Sequence, residues 1–164
     1  MRLLLLRHAI AVPGGTPGIE DDERPLTARG RKRFRAAALG LARILDRPDV
    51  LLTSPLPRAA ETADIVAEAF GKVKPRRERA LAHGGTEAIL ALLGRQPNDS
   101  TVAIVGHEPS LSQLLARLLG SARGERFAFK KGGAALVHLP GDGRSSGRLI
   151  WFLKPRILRS LAGE

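Results

Sequence analysis

Leu3-Leu4-Leu5-Leu6-Arg7-His8 sets four consecutive leucines directly before an arginine and a histidine. A short, uninterrupted apolar run is what a strand covered on both faces requires, and it leaves the two polar residues at the strand's C-terminal end. Two further segments repeat the arrangement. Val50-Leu51-Leu52-Thr53 leads into Ser54-Pro55-Leu56-Pro57-Arg58, and Thr101-Val102-Ala103-Ile104-Val105 leads into Gly106-His107-Glu108.

Between these runs the periodicity is helical. Thr27 is placed to cap a helix reaching about Leu45, with Phe34, Ala37, Ala38, Leu41, Ile44 and Leu45 on one face. Pro55 and Pro57 form a rigid lead-in to a helix from about Arg58 to Phe70, closed by Gly71. A poorly defined strand is expected within Val73 to Leu81. Thr86 is expected to cap a short helix to Leu93. Ser110 and Gln113 have capping-box spacing ahead of the apolar stripe Leu111, Leu114, Leu115 and Leu118.

Ala134 to Leu139 and Leu149 to Leu153 read as two late strands joined by the turn Gly141-Asp142-Gly143. They have no helix between them, so the sheet is expected to be mixed. Strand–helix alternation elsewhere gives an α/β fold. The expectation is a three-layer α/β/α arrangement with a mixed, mostly parallel sheet of about six strands and four helices. Residues 1–164 read as one domain, without repeat or linker. The tail Pro155 to Glu164 carries Ile157, Leu158 and Leu161 beside Arg156 and Arg159; packing on the body is preferred over contact with a membrane surface.

Composition narrows the chemistry. The 164 residues are 43% hydrophobic, enough for a core, so wholesale disorder is excluded. Cysteine is absent, which excludes disulfides, thiol catalysis and thiolate zinc sites. Four leucines before Arg7 are too few for a secretory signal, and no apolar run has the length of a membrane span, so a soluble, cytoplasmic protein is expected. Lys plus Arg number 27 against 16 Asp plus Glu, a formal charge of +11. That balance suits phosphorylated or acidic partners, nucleic acid or an anionic surface, and a GC-rich genome would also produce it.

Open α/β sheets bind ligands beyond the C-terminal ends of their strands. Arg7, His8, Arg58 and His107 stand at three such ends and converge if the strands are parallel neighbours. A guanidinium grips a phosphoryl group through two hydrogen bonds, and imidazole is a nucleophile whose protonated form also donates to phosphate. Two Arg and two His with few acids describe a phosphate pocket rather than a metal site. Any one of these residues occurs by chance after a strand; their coincidence at equivalent positions carries the argument. His138, in the first late strand, reads as structural, and His83 as a rim residue of little weight.

The residues resemble a known family. Leu6-Arg7-His8-Ala9 is similar to the signature of the histidine phosphatase superfamily, which includes the phosphoglycerate mutases. Arg24-Pro25-Leu26-Thr27 with Gly30, Ser54-Pro55 with Arg58-Ala59 and Thr62-Ala63, Gly106-His107-Glu108-Pro109-Ser110-Leu111, and Phe129 to Ala134 resemble its further segments in order. Length and the absence of large insertions resemble the short SixA-type phosphohistidine phosphatases. The resemblance implies a phosphoglycerate mutase-like fold, a transiently phosphorylated His8, and Arg7, Arg58 and His107 holding the phosphoryl oxygens. It implies no metal and no cofactor.

One departure bears on substrate. Mutase-like members carry a Glu general acid in the stretch matching Leu81 to Thr86, which here holds no acid. Short SixA-type members lack it too. Asp21, Asp22 and Glu108 are the candidate acids, with Glu87 further off. A departing imidazole needs less help than an alkoxide, so the expected substrate is phosphohistidine in a protein. A small-molecule or polyphosphate phosphatase is the alternative, and a basic nucleic-acid-binding domain on an idle phosphatase fold is the distant one. A monomer acting on a phosphorylated protein or other phosphate-bearing anion is expected, with no specific nucleic acid and no membrane span.

Overall fold

The computed structural model describes residues 1–71, 73–141 and 146–163. Six strands, β1 (Arg2–Arg7), β2 (Val50–Thr53), β3 (Pro75–Arg77), β4 (Thr101–Gly106), β5 (Ala134–His138) and β6 (Arg148–Leu153), form one sheet in the order β3-β2-β4-β1-β5-β6. β1, β4, β2 and β3 run parallel. β5 is antiparallel to both β1 and β6. The sheet is therefore mixed, as the missing helix between the last strands implies. Asp142 and Gly143 of the expected turn lie outside the described residues.

Among the described residues six α-helices, rather than four, cover the sheet: α1 (Ala28–Ala42), α2 (Pro57–Phe70), α3 (Ala80–His83), α4 (Gly85–Leu93), α5 (Ser110–Leu118) and α6 (Pro155–Leu161). β1 lies between β4 and β5, and its four leucines are 0% exposed. The pleat divides them. Leu4 and Leu6 pack with Phe34, Leu41, Ala63, Val66 and Leu158 of α1, α2 and α6. Leu3 and Leu5 pack with Leu81, Ile89, Leu92, Leu111 and Leu114 of α3, α4 and α5. Burying each leucine contributes about 1.5–3 kcal/mol, which fixes this strand in the middle of the three layers.

Local signals hold with some displacement. Thr27 caps α1, its hydroxyl accepting from Gly30 N at 2.9 Å. The helix stops at Ala42, so Ile44 falls off the apolar face and is 38% exposed. Thr86 lies inside α4, which starts one residue earlier at Gly85. Ser110 is the first residue of α5, with Pro109 at the cap position and no side-chain cap. Pro109 fixes the turn into the helix, which leaves the box unused. The strand expected within Val73 to Leu81 is only Pro75–Arg77. His138 ends β5 exposed to solvent, so it has no part in the core.

The C-terminal tail packs on the body. Leu158 is fully buried against α1, and the backbones approach so closely that a Cβ at Gly40 would lie 1.8 Å from the Leu158 carbonyl oxygen. Among the described residues no helix is long and apolar enough to cross a membrane.

Candidate active site

Parallel pairing brings the three strand ends together. Arg7 stands opposite Gly106 in the β1–β4 register, and Thr53 opposite Val105 in the β2–β4 register. The backbone carries this alignment past the strands: His8 N donates to Gly106 O at 3.1 Å, and Ser54 N to Val105 O at 3.0 Å. His8 and His107, each the residue after its strand, end with ring centroids 5.1 Å apart, tilted by 51°.

Each side chain is held from behind. His8 is 5% exposed, and its Nδ1 lies 2.8 Å from Ala9 O. A carbonyl only accepts, so Nδ1 carries the proton and Nε2 keeps a free lone pair. His107 Nε2 lies 2.8 Å from the buried Ser54 hydroxyl, which also accepts from Leu56 N at 3.2 Å. Arg7 Nη1 donates to Phe129 O at 2.6 Å. Arg58, 6% exposed, donates from Nη1 to Asp21 O at 2.6 Å and places Nη2 3.5 Å from the Asp21 carboxylate.

Thr62 ties two of these segments together. Its hydroxyl donates to Arg58 O one turn back in α2 at 2.6 Å and accepts from Ala9 N at 3.0 Å. The loop after β1 and the Arg58 helix are thus fixed to one another. Arg7 Nε, Arg58 Nε and His107 Nδ1 are buried with no hydrogen-bond partner among the described residues. Unpaired buried polar atoms are costly, and they occur where a site is organised for a ligand at the expense of stability.

The electrostatics are those of a dry, cationic pocket. Burial pushes His8 down to about 4, helped by the charges of Arg58, Arg7 and Lys131. Burial pushes His107 down to about 3, helped by His8 and Arg58. Both imidazoles are therefore neutral at neutral pH in the free protein. Desolvation and neighbouring cations disfavour the charge on each ring. An incoming phosphoryl dianion reverses that balance and draws a proton towards the pair. Arg7 and Arg58 are also shifted downward, chiefly by burial, but guanidinium stays charged.

The candidate acids divide by position. Asp21 and Asp22 lie in a short 3-10 turn, Asp21–Glu23, at the exposed rim beside Arg58. The Arg24 guanidinium donates to the Asp21 carboxylate at 2.8 Å and holds it below its usual range, which makes it a weak proton carrier. Asp22 pairs with His83 at 3.5 Å, so His83, in the acid-free stretch, reaches the rim after all. Glu108 is occupied on both oxygens, accepting from Phe129 N at 2.8 Å and the Ser112 hydroxyl at 2.6 Å. It braces the segment whose carbonyl holds Arg7. Glu87 is exposed in the first turn of α4.

Sequence reasoning assigned no role to Ser54, Thr62 or Lys131, and none to the Phe129 carbonyl. Thr62, four residues after Arg58, was visible as a helical neighbour; a backbone carbonyl carries no sequence signal. A cavity of about 440 Å³ lies at the other end of the sheet beside Met1, Leu93, Leu118 and Leu139. It holds none of the four residues, so chemistry rather than size locates the site.

Comparison with known proteins points the same way. The family model of the histidine phosphatase superfamily (branch 1) matches residues 3–85. An uncharacterised protein of Picosynechococcus is 35% identical over 136 residues, 81% of this chain and 82% of its own. A structure from Agrobacterium tumefaciens, assigned as the phosphohistidine phosphatase SixA, superposes with a TM-score of 0.78 at 28% identity, covering 94% of this chain and 97% of that one. The protein histidine phosphatase SixA complexed with tungstate gives a TM-score of 0.81 at 24% identity over 96% and 99% of the two chains, a likeness of fold.

Proposed function

Because the chain belongs to the histidine phosphatase superfamily, branch 1, and is a phosphatase, we propose that it hydrolyses phosphohistidine in a protein, through a phosphorylated His8 and without a metal. The observation that carries this reading is the meeting of Arg7, His8, Arg58 and His107 beyond three parallel strand ends, with His8 Nε2 left unprotonated.

In the first step the Nε2 lone pair of His8 forms a bond to phosphorus. The bond from phosphorus to the substrate imidazole breaks, and that imidazole leaves after taking a proton. Arg7 and Arg58 balance the charge on the phosphoryl oxygens, and fixed donors of this kind are worth most in a water-poor site. In the second step water attacks phospho-His8, releasing inorganic phosphate and the neutral ring. The low proton affinity of His8 keeps it nucleophilic at neutral pH.

Two features favour phosphohistidine over a phosphomonoester. Leu81 to Thr86 supplies no carboxylic acid to protonate an alkoxide. Asp21, Asp22 and His83 at the rim are exposed, so the mouth is open to a large substrate. The test is kcat/KM under one buffer on a phosphohistidine peptide, a phosphoserine peptide, 3-phosphoglycerate and polyphosphate, with acid-quenched protein assayed for acid-labile phosphate at His8. Preference for phosphohistidine is expected. Preference for a monoester or polyphosphate would overturn the substrate assignment, and phosphate trapped elsewhere would overturn the mechanism.

A further inference from the structure

A second cleft, of about 130 Å³, opens beside the nucleophile loop. Ala9 and Ile10, the residues after His8, form one wall; Gly30, Arg33, Phe34 and Ala37 of α1 form another, and Lys131-Gly132, Pro155 and Arg159 close it. Phe34 and Ala37 give it a buried apolar floor. Its charged lining residues are three cations, Arg33, Lys131 and Arg159, and no acid lines it. Two glycines shape it. A Cβ at Gly30 would meet Ile10 O at 2.0 Å, and one at Gly132, where φ is +77°, would press on the Phe34 ring at 3.1 Å. The cleft adjoins the candidate site through its backbone: Ala9 follows His8, and Gly132 N donates to the carbonyls of Arg7 and His8, both at 3.1 Å.

We propose that this cleft is a specificity subsite that takes an acidic side chain of the phosphorylated polypeptide, close in sequence to the phosphohistidine. The proposal rests on the reading of the substrate as a phosphoprotein and names what that protein must present. Volume selects the size of the group. At about 30 Å³ per water, the space holds roughly four waters, which suits one side chain and excludes a folded element. Charge selects its chemistry, because an apolar floor takes the methylenes of Glu or Asp while Arg33 and Lys131 meet the carboxylate. Neither Arg33 nor Lys131 has a hydrogen-bond or ion-pair partner among the described residues, so neither must give one up. A nucleic acid would need a basic track with stacking aromatics, and Phe34 is buried as the floor.

The test uses the whole protein and a pair of phosphohistidine peptides that differ only in flanking Glu or Gln. Wild type should favour the acidic peptide through KM, by about three- to tenfold at low salt, with the preference shrinking as salt rises. Arg33→Gln should erase most of the preference, and Arg33→Glu should invert it, while free phosphohistidine is hydrolysed at the wild-type rate by both. Equal preference in wild type and Arg33→Glu would overturn the proposal. Fluorescence anisotropy with the unphosphorylated peptides separates this from the parent reading, because it needs no turnover. If neither phosphopeptide is hydrolysed but the acidic peptide still binds more tightly and Arg33→Glu abolishes the difference, the subsite stands and the substrate assignment falls. No charge-dependent binding in that assay would reject the subsite outright.

Discussion

Lowering the pH separates a buried imidazole from an exposed one. His8 sits at about 4 because burial strips its charged form of water and three cations face it. At pH 5 about 0.9 of such a ring is neutral, against about 0.03 for an ordinary imidazole at 6.5, a difference of roughly thirtyfold in unprotonated ring. The same displacement makes stability depend on pH. Between 6.5 and 4 the unfolded chain takes up the proton and the folded one does not. His8's contribution is therefore fully present above 6.5 and lost as pH falls through about 4, on the order of 3 kcal/mol at full extent. The direct assay is an NMR titration of labelled imidazoles, with the variant Lys131→Gln alongside. Neither His8 nor His107 should show an inflection near 6.5. Lys131→Gln should raise the His8 midpoint, and bound inorganic phosphate should raise the midpoints of both rings, because an anion favours the charged form. An inflection of His8 near 6.5 in the unliganded wild type would refute the account of a dry, cationic pocket.

Other perturbations probe the rest of the machinery. Arg7→Ala and Arg58→Ala should each lower kcat/KM by about 10²-fold or more, and Arg58→Lys should restore little, since a point charge cannot replace a fork held by Asp21; steady-state kinetics with melting controls decide it. Activity should persist in EDTA and gain nothing from Mg²⁺ or Zn²⁺, because the two guanidiniums supply the charge; loss on chelation with recovery on adding metal would contradict this. Thr62→Val should reduce kcat without unfolding the protein, by releasing Ala9 N and Arg58 O from their shared hydroxyl, and near-wild-type kcat would show that this tie does not position the site. Gly40→Ala should cost about 1–3 kcal/mol through its clash with the Leu158 carbonyl and lower Tm by several degrees, leaving α6 prone to detach.

The fold class was legible in the one-dimensional pattern, and so was the set of residues that the fold brings together as a candidate site. Four leucines in β1 have one stable location, between two helical layers, and a run with no polar member cannot be placed at an edge. Arg7, His8, Arg58 and His107 were legible because each follows an apolar run at a strand or helix boundary, where one-dimensional spacing translates directly into position. What only tertiary structure decided depends on contacts between distant segments. The neutral state of His107 follows from its burial and from His8 and Arg58, which lie far from it in sequence and meet it only once the strands pair. Glu108 could not be distinguished from a free acid until Phe129 N and Ser112 took both its oxygens. His83 and Asp22, separated in sequence by α1, β2, α2 and β3, gain their pairing from the folding of the 3-10 turn towards α3. The brace on Arg7 is a backbone carbonyl, which no residue type announces. Local apolar pattern is strong enough to set which strand ends exist; the charge state and orientation of what stands there are set by long-range packing.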